Sequence, residues 1–593
     1  MLRVGLTGAF VAMASIGVAQ QAADTVTPEA GSAGEFQSLS PDVAAALTAK
    51  ERGVAVVANE WMISAANPHA VKAGADVLAA GGTAADALVA VQVMLGLVEP
   101  QSSGLGGGAF LVWYDAALGK LTTFDGRETA PLAATPQLFQ DASGEPMRFF
   151  DAVVGGRSVG TPGTPALLAQ VHERYGTQEW ASLLAPAVDL AEGGFSVSPR
   201  LAQLVSADAE RLASSPDTAA YFLPEGQPIE AGETLVNPPY ARTLRLLAEQ
   251  GIDAFYTGDI AEDIVAAVQG AAGNPGVLSE VDLAIYRVKE RPAVCATYRA
   301  HEVCGMGPPS SGAIAVGQML GMLQSYDLSA GPEDVAVRRL IGDASRLAFA
   351  DRGRYVADSD YVPVPVEGML APEYLNARGE LLSGDAALSE VSAGAPEFDH
   401  ALLWADDEAL ELPSTSHISI VDRFGNVASM TTTIENGFGS RLMSGGFLLN
   451  NELTDFSFRS HREGVPIANR VAPGKRPRSS MSPTIVMKDG VPVIVAGSPG
   501  GSRIIGYTAQ ALIAMMDWGL DPQAAAGLPH AVNRFGTYDL ELGTKAEDLA
   551  DALGEIGYQV NARALTSGLH LIQIGEQLRG GADPRREGIV LGE

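Results

Sequence analysis

Alternation of apolar and polar positions marks two β-hairpins in the second half of the chain. In the first, β-rich runs from Ile418 to Asp422 and from Val427 to Ile434 flank the turn Arg-Phe-Gly-Asn. The second is predicted around Lys488-Asp489-Gly490. The small residues Ser414-Thr415-Ser416 precede the first hairpin, and the pattern alone favours a sheet edge there over a functional site.

Helical periodicity dominates the first half of the chain. From Ser64 to Val98 the sequence predicts two helices separated at Gly81-Gly82, with Thr83 as the N-cap of the second. Residues 160–290 are also predicted to be mainly helical. The glycine-rich run from Gly104 to Phe110 follows a helix and precedes a strand. This is the reverse of the order in dinucleotide-binding motifs, so close backbone packing is the better interpretation.

The N-terminus has the pattern of a secretory signal peptide. Arg3 precedes an apolar segment from Val4 to Val18, and small residues stand at Gly17 and Ala19. We predict that residues 1–19 are removed and that the protein is periplasmic or secreted. No later apolar run is long enough to span a membrane, so no membrane span is expected after signal removal.

Composition indicates a globular protein and argues against nucleic acid as a partner. Of the 593 residues 47% are hydrophobic and 18% charged, and the net charge is −31. Residues 415–593 hold 16 Lys and Arg against 18 Asp and Glu, which leaves 23 against 52 for residues 1–414. The acidic excess therefore ends close to Thr415.

The two cysteines, Cys295 and Cys304, flank a short hairpin around Arg299-Ala300. In an oxidising compartment a disulfide is the expected state, with two buried free thiols as the alternative. No further cysteine is present and His301 alone is not a ligand set, so no metal site is predicted.

Two polar segments have ordinary structural explanations. The acidic, proline-terminated run from Ala393 to Pro413 is expected to be an exposed, mobile linker. Ser310 and Ser311 precede a helix, where capping is favoured over a nucleophile. No G-x-S-x-G elbow occurs, which counts against an α/β-hydrolase.

The stretch from Pro413 to Asp455 resembles the start of the small subunit of the γ-glutamyltransferases. These are the glutathione hydrolases of the N-terminal-nucleophile hydrolase superfamily. Further motifs of that family occur in order along most of the chain, at Gly104 to Phe110, Phe124 to Glu128, Pro308 to Gly312, Lys475 to Pro483 and Gly497 to Ser502.

The resemblance implies an α+β fold, a four-layer αββα sandwich made from two chains of one self-cleaved precursor. The large subunit would comprise residues 20–414 and the small, catalytic subunit residues 415–593, together forming one compact unit. No metal or organic cofactor is implied.

The resemblance also implies the catalytic residues. The precursor would be cut between Ser414 and Thr415, making Thr415 an N-terminal nucleophile whose own α-amine acts as base. Thr433 would hydrogen-bond the nucleophile, and the backbone amides of Gly500 and Gly501 would form the oxyanion site. His417 is the tempting base, but we expect a structural role for it.

Substrate-binding residues follow in the same way. Arg127, Ser479 and Ser480 would bind the α-carboxylate of the substrate. The acidic side chains of Glu435, Glu452 and Asp455 would bind its α-ammonium, although some family members carry amides at the first two positions. Without the resemblance, these three would be interpreted as solvated loop acids.

The implied reaction moves the γ-glutamyl group of glutathione or related amides through a Thr415 ester to water, an amino acid or a peptide. One departure leaves an alternative open. The loop at 456–474 lacks the tyrosine that covers the pocket in some bacterial relatives. A glutaryl (cephalosporin) acylase with the same nucleophile is therefore one alternative, and a secreted binding protein that never matures is another.

Overall fold

The computed structural model describes residues 36–400, 403–407 and 409–593. The predicted signal peptide, residues 1–19, lies outside these ranges. Within them, no helix combines the length and the apolar character needed to cross a membrane.

The strands of the described residues are numbered in chain order. They are β1 Val56–Ala58, β2 Met62–Ala65, β3 Gly108–Asp115, β4 Lys120–Gly126, β5 Phe195–Ser196, β6 Thr234–Leu235, β7 Lys289–Arg291, β8 Val294–Tyr298, β9 His301–Gly305, β10 Ser416–Val421, β11 Val427–Thr433, β12 Met443–Ser444, β13 Phe447–Leu448, β14 His461–Arg462, β15 Val465–Pro466, β16 Thr484–Lys488, β17 Val491–Ala496, β18 Ala531–Asn533, β19 Thr537–Glu541, β20 Gln559–Arg563, β21 His570–Ile574, β22 Leu578–Ala582 and β23 Ile589–Gly592.

Two seven-stranded sheets form the centre of the molecule. The first has the order β23-β2-β10-β11-β3-β4-β7 and the second β1-β22-β21-β17-β16-β9-β8. All neighbouring strands in both sheets run antiparallel. Both predicted hairpins are confirmed, since β10–β11 lies in the middle of the first sheet and β16–β17 in the second. The strand that the pattern alone favoured as an edge is therefore central.

The α-helices are distributed between the two outer faces and the surrounding loops. Their bounds are Pro41–Glu51, Pro68–Ala79, Ala84–Val98, Phe149–Val153, Thr164–Tyr175, Trp180–Gly193, Pro199–Leu212, Pro216–Phe222, Pro238–Gln250, Asp253–Thr257, Asp259–Gln269, Glu280–Ala284, Gly312–Leu323, Val335–Tyr355, Val366–Leu370, Pro372–Glu380, Ile504–Met516, Pro522–Ala526 and Ala550–Glu555.

The helix pair predicted between Ser64 and Val98 is confirmed in detail. The helices Pro68–Ala79 and Ala84–Val98 are separated at the two glycines, where Gly81 has φ +88°. The hydroxyl of Thr83 caps the second helix, accepting a hydrogen bond from the Asp86 N–H. The Asp86 carboxylate in turn accepts one from the Thr83 N–H and completes a capping box.

Three apolar layers separate the four layers of secondary structure. Between the sheets, residues such as Val112 and Val421 of the first meet Ile485 and Val495 of the second. The outer face of the first sheet packs on Ala84–Val98 and its neighbours. The outer face of the second sheet packs on the helices Gly312–Leu323 and Ile504–Met516. This arrangement confirms the αββα sandwich, and it explains why β10 and β11 are buried on both faces.

The structure joins Cys295 and Cys304 in a disulfide between directly paired positions of β8 and β9. We expect the native protein, denatured without reductant, to titrate no free thiol, and a Cys295→Ser variant to titrate one. Replacing both cysteines by serine should lower the free energy of unfolding by about 2–3 kcal/mol, the loop-closure effect for so short a loop. Thiol titration and urea unfolding check this. Two thiols in the unreduced wild type would contradict it.

Candidate active site

Two threonine hydroxyls meet at the head of the central hairpin. Pairing of β10 with β11 places Ser416 opposite Thr432, so the residues just beyond that pair, Thr415 and Thr433, adjoin. Their Oγ1 atoms lie 3.1 Å apart. The Oγ1 of Thr433 also accepts the N–H of Glu435 at 2.9 Å. The two threonine hydroxyls are thus within hydrogen-bond distance of each other, and either can be the donor.

The backbone at Thr415 is strained. Its φ is +92°, and the residue is buried. A β-branched side chain is rare at positive φ, where an ordinary residue is destabilised by about 1–3 kcal/mol. The strain therefore lies at the peptide bond between Ser414 and Thr415, where the family resemblance predicts cleavage.

Hydrogen bonds hold the Ser414–Thr415 peptide from both sides. The N–H of Gly500 donates to the Ser414 carbonyl oxygen at 3.2 Å. The Ser414 hydroxyl donates to the carbonyl of Gln101 at 3.1 Å. On the other side, Nη1 of Arg586 donates to the Thr415 carbonyl at 3.2 Å. Sequence reasoning missed Gln101 and Arg586, which lie 313 and 171 residues from their partners.

Gly500 and Gly501 form a tight turn between β17 and the helix Ile504–Met516, with φ values of +136° and +58°. A Cβ on Gly501 would lie 2.6 Å from the carbonyl oxygen of Leu412, so the turn packs directly on the chain that precedes the cleavage site. Both the positive φ values and this close approach require glycine.

His417 lies beneath this turn and does not contact Thr415. Its ring nitrogens face Thr431 Oγ1 at 2.8 Å and Ser419 Oγ at 3.1 Å. Burial lowers the pKa of the imidazole well below its usual value, so the ring is neutral. A Cβ on Gly497 would collide with it. The geometry is that of a buried structural histidine, as expected.

Arg127 and its carboxylate partners form the floor of the site. The guanidinium is fully buried and paired with both Glu452 and Asp455. It also donates from Nε to the Pro477 carbonyl at 3.2 Å and from Nη2 to the Arg478 carbonyl at 2.8 Å. The short 3₁₀ helix Glu452–Asp455 presents the two acids to it.

Acidic groups outnumber cations on this floor. Glu435 is buried and bonded to the side-chain amide of Asn451 and to the Leu412 N–H. Glu128, which the sequence analysis named only within a motif, is also buried, and its carboxyl shares a hydrogen bond with that of Glu452. One oxygen of Asp455 has no hydrogen-bond partner among the described residues. The interpretation as solvated loop acids is therefore wrong.

The pKa values of these carboxyls reflect the crowding. Burial, with repulsion from Glu452 second, raises the pKa of Glu435 to about 8. Burial also raises the pKa of Glu128, Glu452 and Asp455, in all three cases against the attraction of Arg127. These carboxyls therefore hold their protons to higher pH than exposed carboxyls do.

A second cluster around a carboxylate includes the serine pair, Ser479 and Ser480. The Ser480 hydroxyl donates to the Glu411 carboxylate and accepts a hydrogen bond from Arg352 Nη2 at 2.8 Å. Arg352 is ion-paired with the same carboxylate. Although burial alone would raise it, Arg352 and Arg478 hold the pKa of Glu411 below its usual value. Glu411 is therefore an ionised, buried carboxylate.

The expectation of an exposed linker is wrong for the described residues just before the predicted cleavage site. Besides Glu411, Asp406 pairs with Arg354 at 2.8 Å and Asp407 with Arg478 at 2.8 Å. These arginines compensate the acidic charge, so the segment lies against the protein. No local pattern connects residues so far apart in the sequence.

Ser310 and Ser311 brace the serine pair. The Ser311 hydroxyl donates to the Ser479 carbonyl at 2.7 Å, and the Ser310 hydroxyl donates to the Met481 carbonyl at 2.7 Å. Ser311 makes no side-chain cap on the helix Gly312–Leu323, so the capping interpretation is wrong for this residue.

Most of the predicted site residues line one pocket, and Ser414 and Gly500 lie beside it, hydrogen-bonded to each other. The pocket is lined by Arg127, Glu411, Leu412, Thr415, Thr433, Glu435, Glu452, Asp455, Ser479, Ser480, Met481, Gly501 and Ile504. Glu411 and Leu412, which precede the predicted cleavage site, are among the lining residues. No group of acidic, histidine or cysteine side chains suited to a metal ion occurs among the described residues.

Two antiparallel sheets between helical layers, with a threonine at the head of a central strand, define a protein of the N-terminal-nucleophile hydrolase type. The family model for gamma-glutamyltranspeptidase matches residues 70–593. The chain therefore belongs to the gamma-glutamyltranspeptidase family.

Individual relatives carry two kinds of name. The glutathione hydrolase proenzyme of Bacillus subtilis (strain 168) is 36% identical over 557 residues, 90% of this chain and 92% of that protein. The acylase ACY 1 proenzyme of Pseudomonas sp. (strain SE83) is 34% identical over 508 residues, covering 84% and 87%. The crystal structure of cephalosporin acylase from Bacillus halodurans superposes with a TM-score of 0.80 at 28% identity, covering 91% and 97%.

The raised pKa of Glu435 predicts a pH-dependent penalty on stability. In the unfolded chain this carboxyl is protonated only below about pH 4, but in the uncut native chain it is protonated up to about pH 8. The native state therefore binds the extra proton between these values, and its stability falls as pH rises through this window. In an uncut Thr415→Ala background, Glu435→Gln should raise the free energy of unfolding by about 2 to 5 kcal/mol at pH 8 and by little at pH 4.

Urea unfolding across this pH range measures the difference. The exposed Glu302 in the same background, changed to Gln, is the matched control and should give a small difference independent of pH. A Glu435→Gln effect that stays constant or shrinks as the pH rises would contradict the assignment.

Proposed function

We propose that this protein is a self-cleaving γ-glutamyltransferase and glutathione hydrolase with Thr415 as its nucleophile. The observation that carries the proposal is the geometry at the Ser414–Thr415 peptide. Thr433 lies within hydrogen-bond distance of Thr415 Oγ1, and Gly500 donates to the carbonyl that this oxygen would attack.

Maturation would begin with attack of Thr415 Oγ1 on the carbonyl carbon of Ser414. Negative charge develops on the Ser414 oxygen, where the Gly500 N–H already donates. The tetrahedral intermediate then collapses and the bond to the Thr415 nitrogen breaks. This nitrogen takes up the proton that the Thr415 hydroxyl lost and becomes the α-amine. An ester between Ser414 and Thr415 Oγ1 remains. Water hydrolyses this ester and frees both the Ser414 carboxylate and the Thr415 hydroxyl. Relief of the positive φ at Thr415 favours the first step.

In the mature enzyme the same oxygen would attack the γ-carbonyl of the substrate. The free α-amine of Thr415 accepts the hydroxyl proton, directly or through water, and delivers it to the departing amine. The γ-glutamyl ester on Thr415 is then attacked by water, which releases glutamate, or by the amine of an amino acid or peptide, which forms a new γ-glutamyl amide. Gly500 and Gly501 supply the oxyanion donors throughout.

The charge of the pocket floor favours a γ-glutamyl substrate over a glutaryl one. Both acyl groups carry a carboxylate, but only γ-glutamyl carries an ammonium. Glu452 and Asp455 line a pocket whose lining includes one arginine and several acids. A substrate ammonium would compensate this charge, whereas a glutaryl group offers nothing for it.

Several broader features belong to the proposal. The large subunit would comprise residues 20–414 and the small subunit residues 415–593. They would remain associated because each of the two sheets contains strands from both. Location in the periplasm or outside the cell follows from the predicted signal peptide. That both relatives described above are named proenzymes supports self-cleavage.

A glutaryl or cephalosporin acylase is the second candidate function. The observation that favours it is the overall likeness to the Bacillus halodurans acylase, with its TM-score of 0.80. The two candidates share the nucleophile and differ in their need for the ammonium site, so substrate choice separates them.

Loss of the nucleophile should abolish maturation. Wild type should purify as two chains, one beginning Thr-Ser-His-Ile, and Thr415→Ala as a single inactive chain, because the attacking oxygen is gone. Intact mass and N-terminal sequencing check this. Ser416→Ala is the matched control. The Ser416 hydroxyl belongs to the residue next to Thr415 and has no hydrogen-bond partner. The Ser416→Ala variant should therefore be cut like wild type. A wild type that stays uncut on incubation would refute the mechanism and favour a secreted binding protein.

Asp455→Asn should separate the two substrate classes. We expect wild type to prefer γ-glutamyl p-nitroanilide to glutaryl p-nitroanilide. The variant should lose about 10- to 100-fold in kcat/KM for the γ-glutamyl substrate, because one hydrogen bond to a charged group is lost. For the glutaryl substrate the loss in kcat/KM should be less than about threefold. Initial-rate kinetics measure both. Asp489→Asn, in the exposed hairpin turn, should leave both rates unchanged. Equal losses on both substrates would favour the acylase function.

A further inference from the structure

A buried arginine holds the carbonyl of the proposed nucleophile. Arg586 lies in the loop between β22 and β23, and its side chain is buried. Its Nη1 donates a hydrogen bond to the carbonyl oxygen of Thr415 at 3.2 Å. The reaction proposed above uses the hydroxyl and the α-amine of Thr415 and gives this arginine no task. The guanidinium brings a positive charge next to the residue that carries both reacting groups.

Two contacts fix the position of this arginine. Lys50, near the end of the first α-helix, donates from Nζ to the backbone carbonyls of Arg586 and Gly588, both at 2.7 Å. The side chain packs against Gly568, where an added Cβ would lie 3.1 Å from Arg586 Cδ. A guanidinium stays protonated throughout the pH range in which enzymes work. The positive charge beside the nucleophile is thus fixed in place and permanent.

Covalent geometry places the Thr415 nitrogen within range of this charge. Three bonds separate the nitrogen from the carbonyl oxygen that Arg586 contacts, so the nitrogen lies within about 7 Å of Nη1. In the uncut chain this nitrogen belongs to a peptide bond and carries no charge. Cleavage would turn it into an α-amine, whose ordinary pKa of about 7.7–8.0 leaves it mostly protonated at pH 7. A protonated amine cannot accept the hydroxyl proton of the nucleophile.

The pocket side of the nucleophile is acidic. Glu435, Glu452 and Asp455 line the pocket together with Arg127. Burial raises the pKa of these three carboxyls, which reduces their negative charge at neutral pH. Glu411 also lines the pocket, but it belongs to the segment that cleavage would release. The pocket acids therefore oppose the charge of the buried arginine less than fully ionised carboxylates would.

The elements packed around the arginine carry further titratable groups. The imidazoles of His417 and His570 are neutral, because burial lowers the pKa of both. The acids of the loop, Asp583 and Glu587, have partners of their own. Lys50 keeps its positive charge at pH 7, since burial lowers its pKa only to about 8. The lysine therefore reinforces the positive charge of the arginine.

We propose that Arg586 is a positioning residue that keeps the Thr415 α-amine unprotonated at neutral pH. Its hydrogen bond to the Thr415 carbonyl would hold the new chain end in the site. The positive charge of the guanidinium disfavours protonation of the amine beside it, so the amine is a free base when the substrate arrives. This role rests on the proposed γ-glutamyl function and explains how an N-terminal amine can serve as the base near pH 7.

The pH dependence of kcat/KM tests this role. The acidic limb of the profile for γ-glutamyl p-nitroanilide reports the pKa of the essential base in the free enzyme. In cleaved wild type, this apparent pKa should lie about one unit below the ordinary α-amine value. In cleaved Arg586→Gln it should rise by about one unit, the effect of removing one positive charge about 7 Å away. Arg586→Lys keeps the charge and should keep the wild-type limb.

Two controls separate the effect of the charge from other causes. Arg579→Gln removes an exposed arginine on β22 and should leave the profile unchanged. Glu435 is another group whose titration could produce an acidic limb, so wild type and Arg586→Gln are also compared in a Glu435→Gln background. The shift of about one pH unit should persist there. A defect in packing alone would lower the plateau rate and leave the limb in place.

Three results would overturn the role of Arg586 and leave the proposed function standing. One is an acidic limb at the same pH in active wild type and active Arg586→Gln. Another is a shift that disappears in the Glu435→Gln background. The third is a limb at or above the ordinary α-amine value when Arg586 is intact and Glu435 is Gln. This last measurement decides even if Arg586→Gln remains uncut, because a limb below that value supports the role.

Failure of the proposed function itself looks different. Cleaved wild type that does not hydrolyse γ-glutamyl p-nitroanilide at any pH would refute that function, and the role of Arg586 with it.

Discussion

The antiparallel pairing of β10 with β11 is the constraint on which the site depends. This pairing sets Thr415 beside Thr433 at one end of the hairpin. The hairpin is buried on both faces, by helices on one side and by the second sheet on the other. The same hairpin end leads into Glu435, and the second sheet delivers the glycine turn from β17. A shift of the pairing by one residue would turn every side chain to the opposite face and separate the two hydroxyls.

Buried charge is the second constraint on the site. Several carboxyl groups surround Arg127, and burial raises the pKa of Glu435 and Asp455 among them. Beside them, Arg352 and Ser480 bind the carboxylate of Glu411. These groups come from distant parts of the chain, so the charge balance of the site depends on the tertiary packing that brings them together.

Much of the fold was predictable from the sequence because its signals are local. The hairpins follow from alternation and turn residues, and the helix pair between Ser64 and Val98 from glycines and the Thr83 cap. The central placement of β10 was not predictable from its pattern, since burial on both faces depends on layers supplied by the rest of the chain. The site residues came from family motifs, and the structure brings most of them to one pocket, with Ser414 and Gly500 beside it.

The residues that sequence reasoning missed share one property. Arg352, Glu411 and Arg586 act across 59 to 171 positions and belong to no local pattern. The acidic segment before Pro413 was predicted to be a linker because its local composition is highly charged. The arginines that bind it lie on a helix and a loop that are distant in the sequence, so the local composition does not show them. Long-range ion pairing of this kind is set by tertiary packing alone.

The central claim is that the Thr415 hydroxyl carries the γ-glutamyl group, and trapping that intermediate tests it most directly. Mature enzyme would be mixed with a γ-glutamyl amide, quenched in acid within the first turnover, and the small chain analysed by intact and fragment mass. The account predicts a chain heavier by one γ-glutamyl group, ester-linked to its N-terminal threonine and lost on mild alkaline hydrolysis. A modified residue elsewhere, or product formation without any acylated chain under rapid quenching, would contradict it.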